Sequence, residues 1–316
     1  MIAKQFPDEL TPGQVLAQVG NALPEELRSN VIIAGSLSAG WNFFGGDAYA
    51  SMRTKDVDVL LSPHALAVNA ASEVTERLLA ASWTQREDAK FGKAGKPEDP
   101  TEALPVVRLR PPVIDGEQAH WFMELLSAPP AYEANSSGKK HQRLHTSAGD
   151  FAIPSFDYLA LAEWKPLPTK HGVLVARPEM MALANLLHHP TVGDALISGT
   201  DYKRSNKDLG RVLALAYLTL ARDRRDQTDE LDQWAVRMWD ALREKFGTHA
   251  RELAQRAGNG LIALLASPTD LNQALRIANL GLLASLDVGL PALEATGRRV
   301  RADVLDVLAD LAAAGE

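Results

Sequence analysis

Up to about Pro178, short apolar runs alternate with turn residues; beyond it, apolar positions recur every three to four residues. The first region contains Val31-Ile32-Ile33-Ala34, Val57-Asp58-Val59-Leu60-Leu61, Val106-Val107-Arg108-Leu109-Arg110, Trp121-Phe122-Met123-Glu124-Leu125-Leu126 and Val173-Leu174-Val175-Ala176. Their length and their content of β-branched and aromatic residues predict strands of one mixed sheet. Between them, residues 65–81 place Leu66, Val74, Leu78 and Leu79 on one helical face. After Pro178, Leu209, Val212, Leu213, Ala216 and Leu220 line another. Segments 231–246, 253–265, 271–286 and 300–311 repeat that habit with Gly or Pro between them. The predicted fold class is therefore α+β, with a mixed-sheet α/β domain over residues 1–177 and a helical bundle over 178–316. Segments 89–101, with Gly92, Gly95, Pro97 and Pro100, and 135–140 read as mobile surface loops.

Composition narrows the picture. A chain of 316 residues, 46% hydrophobic and 23% charged, can bury a sizeable core and has room for two domains. With no cysteine, disulfides, thiolate zinc sites, thiol nucleophiles and iron–sulfur clusters are excluded. No apolar run reaches the roughly 18 residues of a membrane span, and residues 1–8 lack the apolar stretch of a signal peptide, so the expected location is the cytoplasm, away from membranes. A net charge of -7 argues against a surface that is basic everywhere and leaves room for a local basic cleft.

The candidate chemistry begins at Gly35-Ser36, where a strand gives way to a helix. Glycine permits close backbone approach, and a serine at a helix start offers a hydroxyl and backbone N–H groups to a phosphate. The competing explanation is a serine N-cap after a glycine turn. Asp56 and Asp58 then project from one face at the start of an apolar strand. Adjacent carboxylates repel unless a cation lies between them, and Mg²⁺ takes carboxylate and phosphate oxygens together. A solvated strand end would account for the same pair.

Strand, Gly-Ser, helix and then an Asp-x-Asp strand resembles the nucleotidyltransferase superfamily that includes DNA polymerase β. Together with Arg53-Thr54-Lys55-Asp56-Val57-Asp58, the chain looks most like the AbiEii-type and MenA-type nucleotidyltransferase proteins, which include toxins of bacterial toxin–antitoxin systems. The resemblance implies an enzyme moving a nucleotide from an NTP such as ATP to an acceptor hydroxyl, with two Mg²⁺ held by Asp56, Asp58 and a third carboxylate. It implies phosphate contacts from Gly35 and Ser36, a tRNA end or a small molecule as acceptor, and an antitoxin protein as partner. Glu124, costly to bury unpartnered in an apolar strand, is the candidate third carboxylate; an outward-facing Glu124 on a half-exposed strand and an ion pair with Arg108 or Arg110 are its alternatives, and Asp47 and Asp115 are rivals. Lys207, with Arg211 behind it and Lys203 and Arg204 nearby, is the cation expected to face the triphosphate across a cleft between the domains. Asp208 reads as the end of a Ser205-x-x-Asp208 capping box. Arg53 and Lys55 are the next phosphate candidates.

The chain departs from the family at three places. Residues 41–47 lengthen the gap between Ser36 and Asp56 and suggest a loop over the site, the third carboxylate is Glu where Asp is commoner, and Asn185 stands where many relatives carry Lys. Other motifs are missing: there is no Walker loop, Gly-x-Gly-x-x-Gly, Gly-x-Ser-x-Gly or His-Glu-x-x-His. His188-His189-Pro190 reads as a helix end without a carboxylate at ligand spacing, and the basic run 139–145 as a solvated loop, with an RNA contact its alternative. A small-molecule nucleotidyltransferase, which the acidic net charge favours, and a non-catalytic binding module are the rival functions.

Overall fold

The structure, a computed structural model, describes residues 9–45, 52–54, 56–62, 64–86, 93–113, 119, 121–129, 132 and 140–315. Asp47, Lys55 and Asp115, together with residues 89–92 of the first expected loop and 135–139 of the second, lie outside the described residues. The chain divides into two compact units, Met1–Ala176 and Arg177–Glu316.

Among its described residues the first unit carries eleven strands: β1 (Glu9–Leu10), β2 (Val31–Ile33), β3 (Met52–Arg53), β4 (Asp56–Leu61), β5 (Thr84–Gln85), β6 (Arg108–Arg110), β7 (Phe122–Ser127), β8 (Lys140–Thr146), β9 (Gly149–Ser155), β10 (Leu167–Pro168) and β11 (Leu174–Val175). Its helices are α1 (Pro12–Ala22), α2 (Glu25–Arg28), α3 (Gly35–Phe44) and α4 (His64–Ala80). The main sheet runs β10-β11-β2-β4-β7-β6-β5, and β9 joins it through β7. Pairing is mixed: β4 runs parallel to β7, and β2 and β6 run antiparallel to β4 and β7 respectively. Alternation decides which face is covered. Val57 and Val59 of β4 and Met123 and Leu125 of β7 are fully buried, and α4 packs across β4, β7 and β8. Asp56, Asp58 and Glu124 share the opposite face, on which Asp56 is exposed and the other two are half-buried.

Two expectations are corrected in this unit, and a third is refined. The basic run after Lys139 is a strand: β8 pairs with β9 over seven residue pairs from Lys140↔Ser155 to Thr146↔Gly149. Polar residues adopt it because the partner strand is buried at every position but its first, and Leu144 drops into the core. The described part of segment 89–101 is largely a surface loop, as expected, and is tied down at defined points. Gly95 and Asp150 exchange backbone hydrogen bonds of 2.8 and 2.9 Å, and the Arg143 guanidinium donates to the carbonyls of Pro97 (3.1 Å) and Asp99. Finally, Trp41 to Phe44 lengthen α3 and make no separate loop there. Asn42 donates to the Ala176 carbonyl at 3.0 Å beside Ser38, which donates to the same oxygen at 2.7 Å.

The second unit is helical: α5 (Pro178–Val192), α6 (Arg204–Asp226), α7 (Trp234–Phe246), α8 (Ala250–Ala257), α9 (Asn259–Ala266), α10 (Pro268–Leu280), α11 (Leu290–Arg299) and α12 (Asp306–Ala314), with a π-helical stretch Val300–Leu305 joining the last two. Leu209, Val212, Leu213, Ala216 and Leu220 are all buried on α6, which packs against α5, α9, α10 and α11. Segment 253–265 breaks at Gly258 into α8 and α9. No helix among the described residues is long and apolar enough to cross a membrane.

Candidate active site

The site is built where β2 ends and α3 begins. Ala34 donates its N–H to the Asp58 carbonyl at 2.8 Å, which pins the end of β2 to the middle of the acidic stretch of β4. Gly35 follows at φ +64, a left-handed conformation that glycine adopts without strain. Space demands glycine as well. A Cβ on Gly35 would collide with Asp58 Oδ2 and lie 3.3 Å from Asp58 Cγ, so the Asp58 carboxylate sits against the first turn of α3. The N-cap of that helix is Ala34, without a side-chain cap, and Ser36 is the second helical residue. Ser36 is therefore not the N-cap serine that sequence allows. Its half-buried hydroxyl has no hydrogen bond among the described residues, and the first-turn N–H groups have no side chain to cap them. An uncapped helix start beside a carboxylate is electrostatically favourable for that carboxylate and for an added anion.

Asp56 is set by its neighbour. The buried Thr54 hydroxyl lies 3.0 Å from the Asp56 carbonyl and 3.1 Å from Asp56 Oδ1, a positioning contact that no spacing rule in the sequence announces. Asp58 and Glu124 are direct partners in the β4–β7 register, so the two carboxylate residues stand side by side on adjacent strands. Glu124 in turn pairs in register with Arg108 on β6, whose Nε donates to Glu124 Oε2 at 2.7 Å. Of the alternatives open for Glu124, the ion pair is thus present, with both side chains largely buried (16% and 13% exposed). Among the described residues no three His, Asp or Glu side chains are gathered into a metal-ligand set. Asp56 and Asp58 are hard oxygen donors of the type that Mg²⁺ takes, whereas Glu124 has a guanidinium partner.

The second unit places the other candidates on α6. That helix starts at Arg204 with Lys203 as its N-cap, so Ser205 lies inside it and makes no capping box with Asp208. Asp208 is explained differently. Its buried carboxylate accepts from His188 Nδ1 of α5 at 2.8 Å, which also supplies the carboxylate that His188-His189-Pro190 lacks in sequence. The expected positive cluster is partly neutralised: Lys203 Nζ lies 3.2 Å from both Asp194 and Asp270, whose hydrogen bonds raise its pKa. Arg204 Nε donates to the Leu196 carbonyl at 3.3 Å, and Lys207 and Arg211 are half-buried. Asn185 donates to the Met181 carbonyl at 2.7 Å within its own helix. His189 packs against Gly260, and burial pushes its pKa below the ordinary value.

No protein-family model matches the chain, and no curated protein matches its sequence.

Proposed function

We propose that the chain is a metal-dependent nucleotidyltransferase, transferring a nucleotide from an NTP to an acceptor hydroxyl. The observation that carries this reading is the packing of Gly35 against Asp58: it puts an uncapped helix start, bearing the Ser36 hydroxyl, beside a strand with two carboxylates on one face. A phosphate chain finds N–H donors at the one and metal-ligating oxygens at the other. Mg²⁺, when bound, would neutralise charge on the triphosphate and the leaving pyrophosphate, and Asp56 and Asp58 are the residues to hold it. Ser36 and the first-turn amides of α3 orient the phosphates. Thr54 fixes Asp56, and Arg108 fixes Glu124 next to Asp58, where that carboxylate can accept the proton of the attacking hydroxyl. The resemblance noted above adds a tRNA end as acceptor, a toxin's role and an antitoxin as partner.

The test is incubation of the full chain with each radiolabelled NTP, Mg²⁺ and total RNA, or a panel of small hydroxyl compounds. Label entering RNA or a small molecule, and its loss in Asp58→Asn, is the expected result. No transfer from any NTP to any acceptor would end the proposal. Lys207→Ala and Arg211→Ala, assayed alongside, report whether the helical unit supplies cations to the reaction: loss of one electrostatic contact at a transferring phosphate lowers turnover on the order of 100-fold.

A further inference from the structure

The sheet face that carries the carboxylates does not end with them. Across β4, β7 and β6 the register runs Asp58, Glu124, Arg108, and the strand after that brings Arg86, whose N–H donates to the Arg108 carbonyl at 2.7 Å. Arg110, two residues beyond Arg108, lies on the same face, opposite Thr84 of β5. Between the acids and the arginines stands Phe122, on the face of Glu124, with the Arg86 guanidinium 4.3 Å and the Arg108 guanidinium 5.8 Å from its ring centre. Among the described residues, acids occupy the β4 side of this face and arginines the β6 side.

Arg108 is paired with Glu124, and Arg86 has interactions of its own. The Nε–H of Arg110 is buried and has no acceptor among the described residues. A buried guanidinium N–H without an acceptor is costly and suits an oxyanion that arrives from outside. Two anion-attracting features therefore flank the acids: the start of α3 on the side of β2, and the arginines on the side of β5.

We propose that Arg86, Arg108 and Arg110 bind phosphate groups of the acceptor, so that the attacking hydroxyl belongs to a phosphate ester, such as the end of a nucleic-acid strand, and not to a cationic small molecule. The assignment of this anion to the acceptor rests on the nucleotidyltransferase reading; the phosphate site itself does not. Helix start and arginines divide the work: nucleotide phosphates lie on the Gly35–Ser36 side, acceptor phosphates on the arginine side, and the carboxylates stand between. An aminoglycoside, carrying several ammonium groups, would meet like charge.

The experiment is a fluorescence-anisotropy titration of the full chain with a fluorescein-labelled, single-stranded 12-nucleotide RNA, without NTP or metal, at several salt concentrations. Arg86→Gln and Arg110→Gln should each weaken binding at least fivefold and reduce the salt slope by about 0.7, the value for one lost phosphate contact on a single strand. Arg110→Lys, which keeps the charge, should retain most of the affinity and covers the case in which Arg110→Gln does not fold. ATP affinity should be the same in all of them. Glucose 6-phosphate serves as the second arm: if it binds with the same dependence on the arginines while RNA does not, the phosphate ester is a small metabolite. RNA and glucose 6-phosphate binding unaffected by the arginine substitutions would overturn the proposal, as would equal losses of ATP and RNA affinity or tighter binding of a cationic aminoglycoside. Arginine-dependent RNA binding in a protein that transfers no nucleotide would remove the acceptor role and leave the phosphate site standing.

Discussion

Gly35 concentrates the local constraints of the site in one residue. Its φ of +64 costs a residue with a Cβ about 1–2 kcal/mol, and that Cβ would also drive into the Asp58 carboxylate. Gly35→Ala should therefore lower the melting temperature and displace Asp58, taking the proposed nucleotide transfer with it. The two contributions separate in a double-mutant cycle: Asp58→Ala removes the collision and not the φ cost, so Gly35→Ala should be less destabilising in the Asp58→Ala background. Equal costs in both backgrounds would show that the carboxylate is not packed against this glycine.

Elements of the molecule are joined by a few side chains distant in sequence. The hairpin of β8 and β9 is tied to segment 93–101 through Asp150, buried and held by Arg143 and by His145 Nδ1 at 2.8 Å. Burial alone would raise the Asp150 pKa, but the hydrogen bonds and charges of His145 and Arg143 outweigh it and leave the carboxyl below its ordinary 3.8. A carboxyl depressed on folding stabilises the native state above its unfolded pKa and loses that contribution as pH falls through the folded value. Acidification below 3.8 should accordingly speed amide exchange at Gly95 and Asp150 ahead of global unfolding, and Asp150→Asn should remove that pH dependence. In the helical unit, α6 crosses α10 so closely at Gly210 that a Cβ there would stand 2.8 Å from the Ala274 carbonyl oxygen, a backbone atom that cannot step aside alone. Gly210→Ala should destabilise by about 1–3 kcal/mol in denaturant titration, the range for overpacking, even though alanine is the better helix former. The neighbouring Asp208→Ala acts by another route. It removes the α5–α6 hydrogen bond to His188 at a cost of roughly 1–2 kcal/mol, which Asp208→Asn, still an acceptor, should largely avoid.

For the whole molecule, the decisive quantity is what a metal–nucleotide complex does to stability. A ligand that binds only the native state at 100 times its Kd adds about 2.7 kcal/mol, enough for a clear rise in melting temperature. If the chain has the proposed activity, Mg²⁺ with an NTP should produce that rise in the native chain. Asp58→Asn should abolish it while the ligand-free protein still folds, relief of like-charge repulsion on β4 offsetting the lost attraction to the start of α3. A shift that persists undiminished in Asp58→Asn would remove this aspartate from the metal site.

What the sequence by itself determined are the features that repeat locally. A period of two places Asp56, Asp58 and Glu124 on faces opposite their apolar neighbours, and a period near four assigns Leu209, Val212, Leu213, Ala216 and Leu220 to one buried stripe. Both follow from the geometry of a single strand or helix. Where partners come from distant segments, only the tertiary structure decided. The choice of Arg108 over Arg110 as the partner of Glu124 is a matter of β6–β7 register, and the alignment of Arg86 beside it depends on a further strand. The basic segment 140–146 has no apolar alternation of its own and becomes a strand because β9 offers a paired edge. The Ser-x-x-Asp pattern at Ser205 and Asp208 has the spacing of a helix cap, but α6 begins one residue before Ser205 and His188 claims the carboxylate. Local periodicity says which way a side chain faces, and long-range pairing says what it meets there.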